Sequence, residues 1–250
     1  MSIIRSSNPA LSDKAFSRYG SFAGSESMTY KGTMNKTLLM LALVILGAVF
    51  TWRMFFESLT PSSVYTWMLV GGIGGFIMSL VVIFAPKTSP YTAPIYALLE
   101  GLFLGGVSAF FAANYNAGIV IQAVGLTFAT FFLMLLAFRT GTIKATARFR
   151  TGVLAATGAI ALTYFISFIL GLFGINIGFI HSNGTFGIIF SLIVVAVAAL
   201  NLILDFDFIE KASNMGAPKY MEWYGAFGLM VTLIWLYIEF LKLLAKTSRR

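Results

Sequence analysis

Residues 185–204, TFGIIFSLIVVAVAALNLIL, run without one charged side chain before Asp205 is reached. About 20 apolar residues in helical form cross the hydrocarbon core of a bilayer. Similar runs place spanning helices at approximately 37–56, 65–85, 93–113, 117–138, 152–174, 185–208 and 224–245. Charged residues make up only 10% of the chain, against roughly 25% in soluble domains, and the mean hydropathy is +0.88. A water-facing shell cannot be assembled from what remains. The chain is predicted to be an all-α polytopic membrane protein with seven transmembrane helices.

The ends and gaps agree with that division. Pro61, Pro86, Pro90, Pro94 and Pro218 fall in or beside the gaps, where a missing N–H does least harm. Trp52, Trp67, Trp223 and Tyr224 lie near helix ends, as interfacial aromatics do. Residues 1–36 form a Ser-rich polar arm without a signal-peptide core, and Phe16, Tyr19 and Phe22 could dock it on the membrane. Residues 37–246 form the transmembrane domain. With the arm in the cytoplasm, its cations, Lys87, the basic loop Arg139–Arg150, Lys211 and Lys219 lie inside. They outnumber Arg53, Lys242, Lys246, Arg249 and Arg250 on the other side, so positive charge favours a cytoplasmic N-terminus. The net charge of +8 therefore reads as contact with anionic headgroups rather than nucleic acid.

The residues for covalent catalysis are missing. There is no cysteine, and the one histidine, His181, sits in a predicted loop without a partner at metal-ligand spacing. No G-x-S-x-G or phosphate-binding loop occurs, and an enzyme is not expected. Small-residue spacing at Gly101 and Gly105 marks close helix packing instead.

Acids remain, and only nine occur. Glu100 lies inside the third apolar run, where a carboxyl must be paired, hydrated or protonated. Glu239 lies inside the last, with Lys242 at i+3 as a candidate ion-pair partner. In NLILDFDFIEKA, residues 201–212, Asp205 ends the sixth run. Asp207 is about 200° round the helix from Asp205, and Glu210 about 60° from Asp207, so Asp205 is expected to face the bundle and the other two the interface. No buried cation is in view for these acids; Arg53 and Arg139, at opposite helix ends, are the candidate latch cations that could swing in. Carboxylates without such partners attract protons or hard cations, and oxygen-only ligation suits Ca²⁺. The set describes a proton-sensitive cation site.

Four stretches carry a resemblance: MTYKGTMNKTLLMLALVILGAVFTW (28–52), PIYALLEGLFLGGVSAFF (94–111), NLILDFDFIEKA (201–212) and GAPKYMEWYGAFGLMVTLIWLYIEFLKLLA (216–245). The chain resembles the Bax inhibitor-1 family, in its bacterial branch with a polar N-terminal arm. The resemblance implies a central last helix surrounded by the other six. It also implies a pH-sensitive calcium leak in a bacterial cytoplasmic membrane, with no cofactor and Ca²⁺ as the permeant or regulatory ion. Two acids facing each other from helices six and seven would gate it. The family's Tyr-Asp pair is matched by Leu204-Asp205, and its aspartate on helix seven by Glu239 within Leu236-Tyr237-Ile238-Glu239-Phe240. Both acids would hold Ca²⁺ transiently, with Glu100 and Asp207 as further pore or ion-binding candidates. The loop from 209 to 223 reads as long for the family. The alternative role implied is an interaction protein that regulates other membrane proteins, such as a membrane protease.

Overall fold

The computed structural model describes residues 27–57, 62–175 and 184–248. Phe16, Tyr19, Phe22, His181, Arg249 and Arg250 lie outside the described residues. Those described form seven long α-helices: α1 (Tyr30–Glu57), α2 (Ser62–Phe84), α3 (Ser89–Asn114), α4 (Gly118–Arg139), α5 (Ala147–Leu172), α6 (Thr185–Asn214) and α7 (Met221–Ser248). Each is long and apolar enough to cross a membrane.

The two boundaries that differ most from the sequence reading do so for physical reasons. Helix α1 starts at Tyr30, not near 37, so the last part of the polar stretch is helical. Its threonines are not solvated: Thr33 and Thr37 are buried and each donates its hydroxyl to a carbonyl one turn back, both at 3.0 Å. Helix α6 continues to Asn214, because Ile209 and Ala212 stay buried while Glu210 faces out. The long loop expected at 209–223 is therefore a short turn, in which Gly216 takes a φ of +67° that a side chain would resist. Pro94, expected beside a gap at the start of the third run, stands inside α3, which begins earlier, at Ser89.

Helix α7 is the centre. It packs against α1, α3, α4 and α6, whereas α2 leans chiefly on α3 and α5 on α6. Most of its side chains are buried, among them Tyr224, Phe227, Met230 and Leu241, while α4 and α5 show mostly lipid-type exposed Leu, Ile and Phe. A central last helix is thus present.

Close packing of α1 on α3 comes from glycines facing backbone. A Cβ on Gly47 would stand 2.6 Å from the carbonyl oxygen of Leu98, and Cβ atoms on Gly101 and Gly105 would overlap the carbonyls of Val44 and Ala48. Gly71 brings α2 onto α3 in the same way, 2.5 Å from the Leu99 oxygen. The pair noted from spacing, Gly101 and Gly105, is the α3 half of this contact.

Candidate functional site

A row of polar side chains follows one side of α7, between it and helices α5 and α6. At the end nearer the N-terminus, Asp207 of α6 forms an ion pair with Arg150 of α5 and a second, 2.8 Å long, with Lys211 one turn on. Next, Asp205 is 1% exposed and its Oδ2 accepts a 2.6 Å hydrogen bond from the Thr232 hydroxyl of α7. One turn back along α6, buried Asn201 donates to Thr157 Oγ1 of α5 at 2.8 Å and to the Val197 carbonyl at 2.9 Å.

Beyond Asn201 the row is interrupted. Ile160 of α5 with Val194 and Val197 of α6 form a small apolar cluster, and Trp235 of α7 packs against it. On its far side stands Glu239, 1% exposed, which accepts from the Tyr164 hydroxyl at 2.9 Å and from Lys242 at 3.0 Å. The Lys242 ammonium also lies 4.7 Å from the centre of the Tyr164 ring. Last, Lys246 donates to Ser191 Oγ at 2.8 Å and to the Gly187 carbonyl at 3.1 Å. From Asp207 to Ser191 the row covers sixteen residues of α6, about 24 Å of helix axis.

This arrangement revises several expectations. Asp205 and Glu239 do not face each other as a pair: no hydrogen bond joins them among the described residues. Thr232, which holds Asp205, is seven residues from Glu239, about two turns of α7. The two acids flank the apolar cluster rather than meeting. Nor are all the intramembrane and interfacial acids without cations, since Lys242 reaches Glu239 and Arg150 and Lys211 hold Asp207. The latch residues read from sequence are elsewhere. Arg139 lies 4.4 Å from the ring of Tyr30, and Arg53 is exposed at the end of α1. Arg150 takes the place foreseen for them because α5 starts at Ala147, which puts it on the first helical turn facing α6. Glu100 lies outside the row, half-buried against α2 with its Oε1 2.8 Å from where a Cβ on Gly75 would stand. Asn201, Thr157, Thr232 and Tyr164 were not singled out from sequence, since uncharged polar residues in an apolar run look alike until helices are docked.

A second polar cluster went unread. Glu222, in the first turn of α7, has a side chain with no solvent exposure. It accepts hydrogen bonds from the Thr29 amide and hydroxyl, both 2.9 Å, and ion-pairs with Lys36 of α1 and, at 2.8 Å, with Lys219. Beside it the chain before α1 is tied to the α6–α7 turn, Ser27 bridging Pro218 and the Met28 amide donating to the Ala217 carbonyl at 2.6 Å. The available signal was Lys36 itself, a cation one helix away that sequence spacing cannot connect to position 222.

Among the described residues, no three His, Cys, Asp or Glu side chains converge to hold a metal ion. A family profile described as Bax inhibitor 1 like matches residues 8–249. No curated protein matches the chain.

Proposed function

Because the chain belongs to the Bax inhibitor 1 like family, we propose that it is a pH-sensitive leak for Ca²⁺ in a bacterial inner membrane, its N-terminus in the cytoplasm. The observation that carries this reading is the polar row beside α7, broken by the Ile160–Val194–Val197 cluster with Asp205 on one side and Glu239 on the other. Hydrophobic constrictions gate by excluding water, and charged side chains at their mouths select the ion. Ca²⁺ passes as cargo, attracted by Asp205, Glu239 and the outlying Asp207. That no donor set converges among the described residues favours transit over storage, since Ca²⁺ held tightly takes six to eight oxygens.

Protons and Ca²⁺ compete for the same carboxylate oxygens, because only the ionised form is a ligand. Lys242 competes for Glu239 and Arg150 for Asp207, so these two acids must each release a cation before taking another. Glu239 holds Lys242 and the Tyr164 hydroxyl together, so a change in its charge bears on the α5–α7 contact beside the apolar cluster.

Ca²⁺ flux into proteoliposomes, followed from roughly pH 6 to 8, tests the reading. Asp205→Asn with Glu239→Gln is expected to lower flux at least about tenfold, the equivalent of about 1.4 kcal/mol, and to flatten its pH response. Unchanged flux in the double variant refutes the leak. Val194→Ser should wet the constriction and raise flux at every pH tested. Removing residues 1–26 should leave flux intact; a loss of cellular function with normal flux would favour the regulator of other membrane proteins instead.

A further inference from the structure

Side chains at positions two apart on α7 point about 160° from one another. While Thr232, Trp235 and Glu239 face the polar row, Met230, Leu233, Ile234 and Tyr237 form the inner wall of a cavity of about 240 Å³ on the other side. Helices α1, α3 and α4 close it, through residues such as Val44, Ala48, Leu104 and Val120. Helices α1 and α4 scarcely touch along this stretch, and between them the cavity opens sideways. Ile45, Val49 and Val124, at that mouth, are exposed on the surface that faces lipid.

The three hydroxyls on the wall are already spent on the protein. Ser108 Oγ donates to the Leu104 carbonyl at 2.6 Å, so the Tyr237 hydroxyl must donate in the 2.6 Å contact with Ser108. Thr127 spends its hydroxyl on the Ala123 carbonyl at 2.7 Å. An apolar cavity of about 150 Å³ stays dry and takes up a benzene-sized molecule; this one is larger and opens into hydrocarbon. The material beside it is a lipid tail.

Position narrows the occupant further. The lining residues fall mostly in the second half of α1, ending at Trp52, and in the first half of the antiparallel α4. Arg53 follows Val49 by one turn on the same side of α1, is exposed, and makes no ion pair among the described residues. It stands about 12 Å along the helix from Ile45, near the end of α1, with Glu57 a turn beyond. We propose that the cavity binds one acyl chain of a phospholipid from that leaflet, threaded between α1 and α4, with Arg53 meeting the phosphate.

A phosphatidylglycerol carrying a diazirine halfway along one chain, in phosphatidylethanolamine–phosphatidylglycerol vesicles, provides the test. Met230, Leu233, Ile234 and Tyr237 are buried, so labelling at these α7 residues reports the cavity while labelling of α2 reports bulk contact. The expected result is α7 labelling that falls to background in Val124→Trp, or in Val49→Trp should the first fail to fold, with α2 labelling unchanged. Arg53→Gln should reduce α7 labelling about threefold to fivefold, the effect of one interfacial cation. Three outcomes overturn the proposal: no label on α7 in the wild type, α7 labelling indifferent to both tryptophans, or α7 labelling by a diazirine fatty acid but not by the phospholipid.

Discussion

Glu222→Ala is expected to cost about 3 kcal/mol of stability, the low end of what breaking a buried ion pair costs. Glu222 is fully buried, whereas its partners Lys36 and Lys219 are 21% and 51% exposed. With the carboxylate gone, both ammoniums can return to water, which limits the damage. The Thr29 amide and hydroxyl lose their acceptor, and the short link from Ser27 to Pro218 loses the group behind it. Removal of an anion from the first turn of α7 also forfeits its interaction with the helix dipole. Lys219→Ala, exposed and one turn away, should cost under about 1 kcal/mol. Denaturant unfolding in detergent, read by far-UV circular dichroism, measures both; a Glu222→Ala protein within about 0.5 kcal/mol of wild type would contradict the assignment. Glu222→Leu combined with Lys36→Met should recover part of the loss, because an apolar pair can replace a buried ionic one.

Gly105→Leu should be at least as damaging. A Cβ there overlaps the Ala48 carbonyl and the Thr51 hydroxyl, both on α1. Backbone cannot move aside as a flexible side chain can, so the helices must separate along the whole contact that Gly47 and Gly101 share. Overpacking a core costs about 1–3 kcal/mol, and a displaced helix pair belongs at the top of that range or above. Gly125→Ala is the control: nothing lies within 4 Å of a Cβ at that position of α4. Alanine there should be neutral or stabilising by up to about 1 kcal/mol, from the better helix former. Parallel thermal melts of the two variants separate packing from helix propensity. Equal stability would mean that α1 and α3 tolerate separation.

What could be read in advance followed from interactions that are local in the chain. Apolar runs located every spanning helix, because transfer into hydrocarbon is a sum over consecutive residues. Glycine spacing marked the α3 side of the α1–α3 contact, since a helix presents positions four apart to one neighbour. Asp205 and Glu239 were picked out as buried acids because a carboxyl has few ways to lie inside an apolar run. Boundaries went astray where polarity was absorbed locally: Thr33 looked like an arm residue but satisfies its hydroxyl on the carbonyl one turn back.

The partners of each charge belonged to the tertiary structure alone. Arg150 and Asp207 are 57 residues apart, Lys36 and Glu222 186 apart, and no pattern along the chain relates them. Glu222, beside Lys219 at a helix start, reads in sequence like a solvated surface pair; docking α1 over it turned it into the best-connected acid described. Asp205 and Glu239 were expected to meet, but the register between α6 and α7 put Thr232 opposite Asp205 and left an apolar cluster between the acids. The reason is one of range. Hydrophobic transfer is additive and survives any arrangement of the helices, whereas a hydrogen bond or ion pair exists only within a few ångströms, and those distances are set when the helices pack.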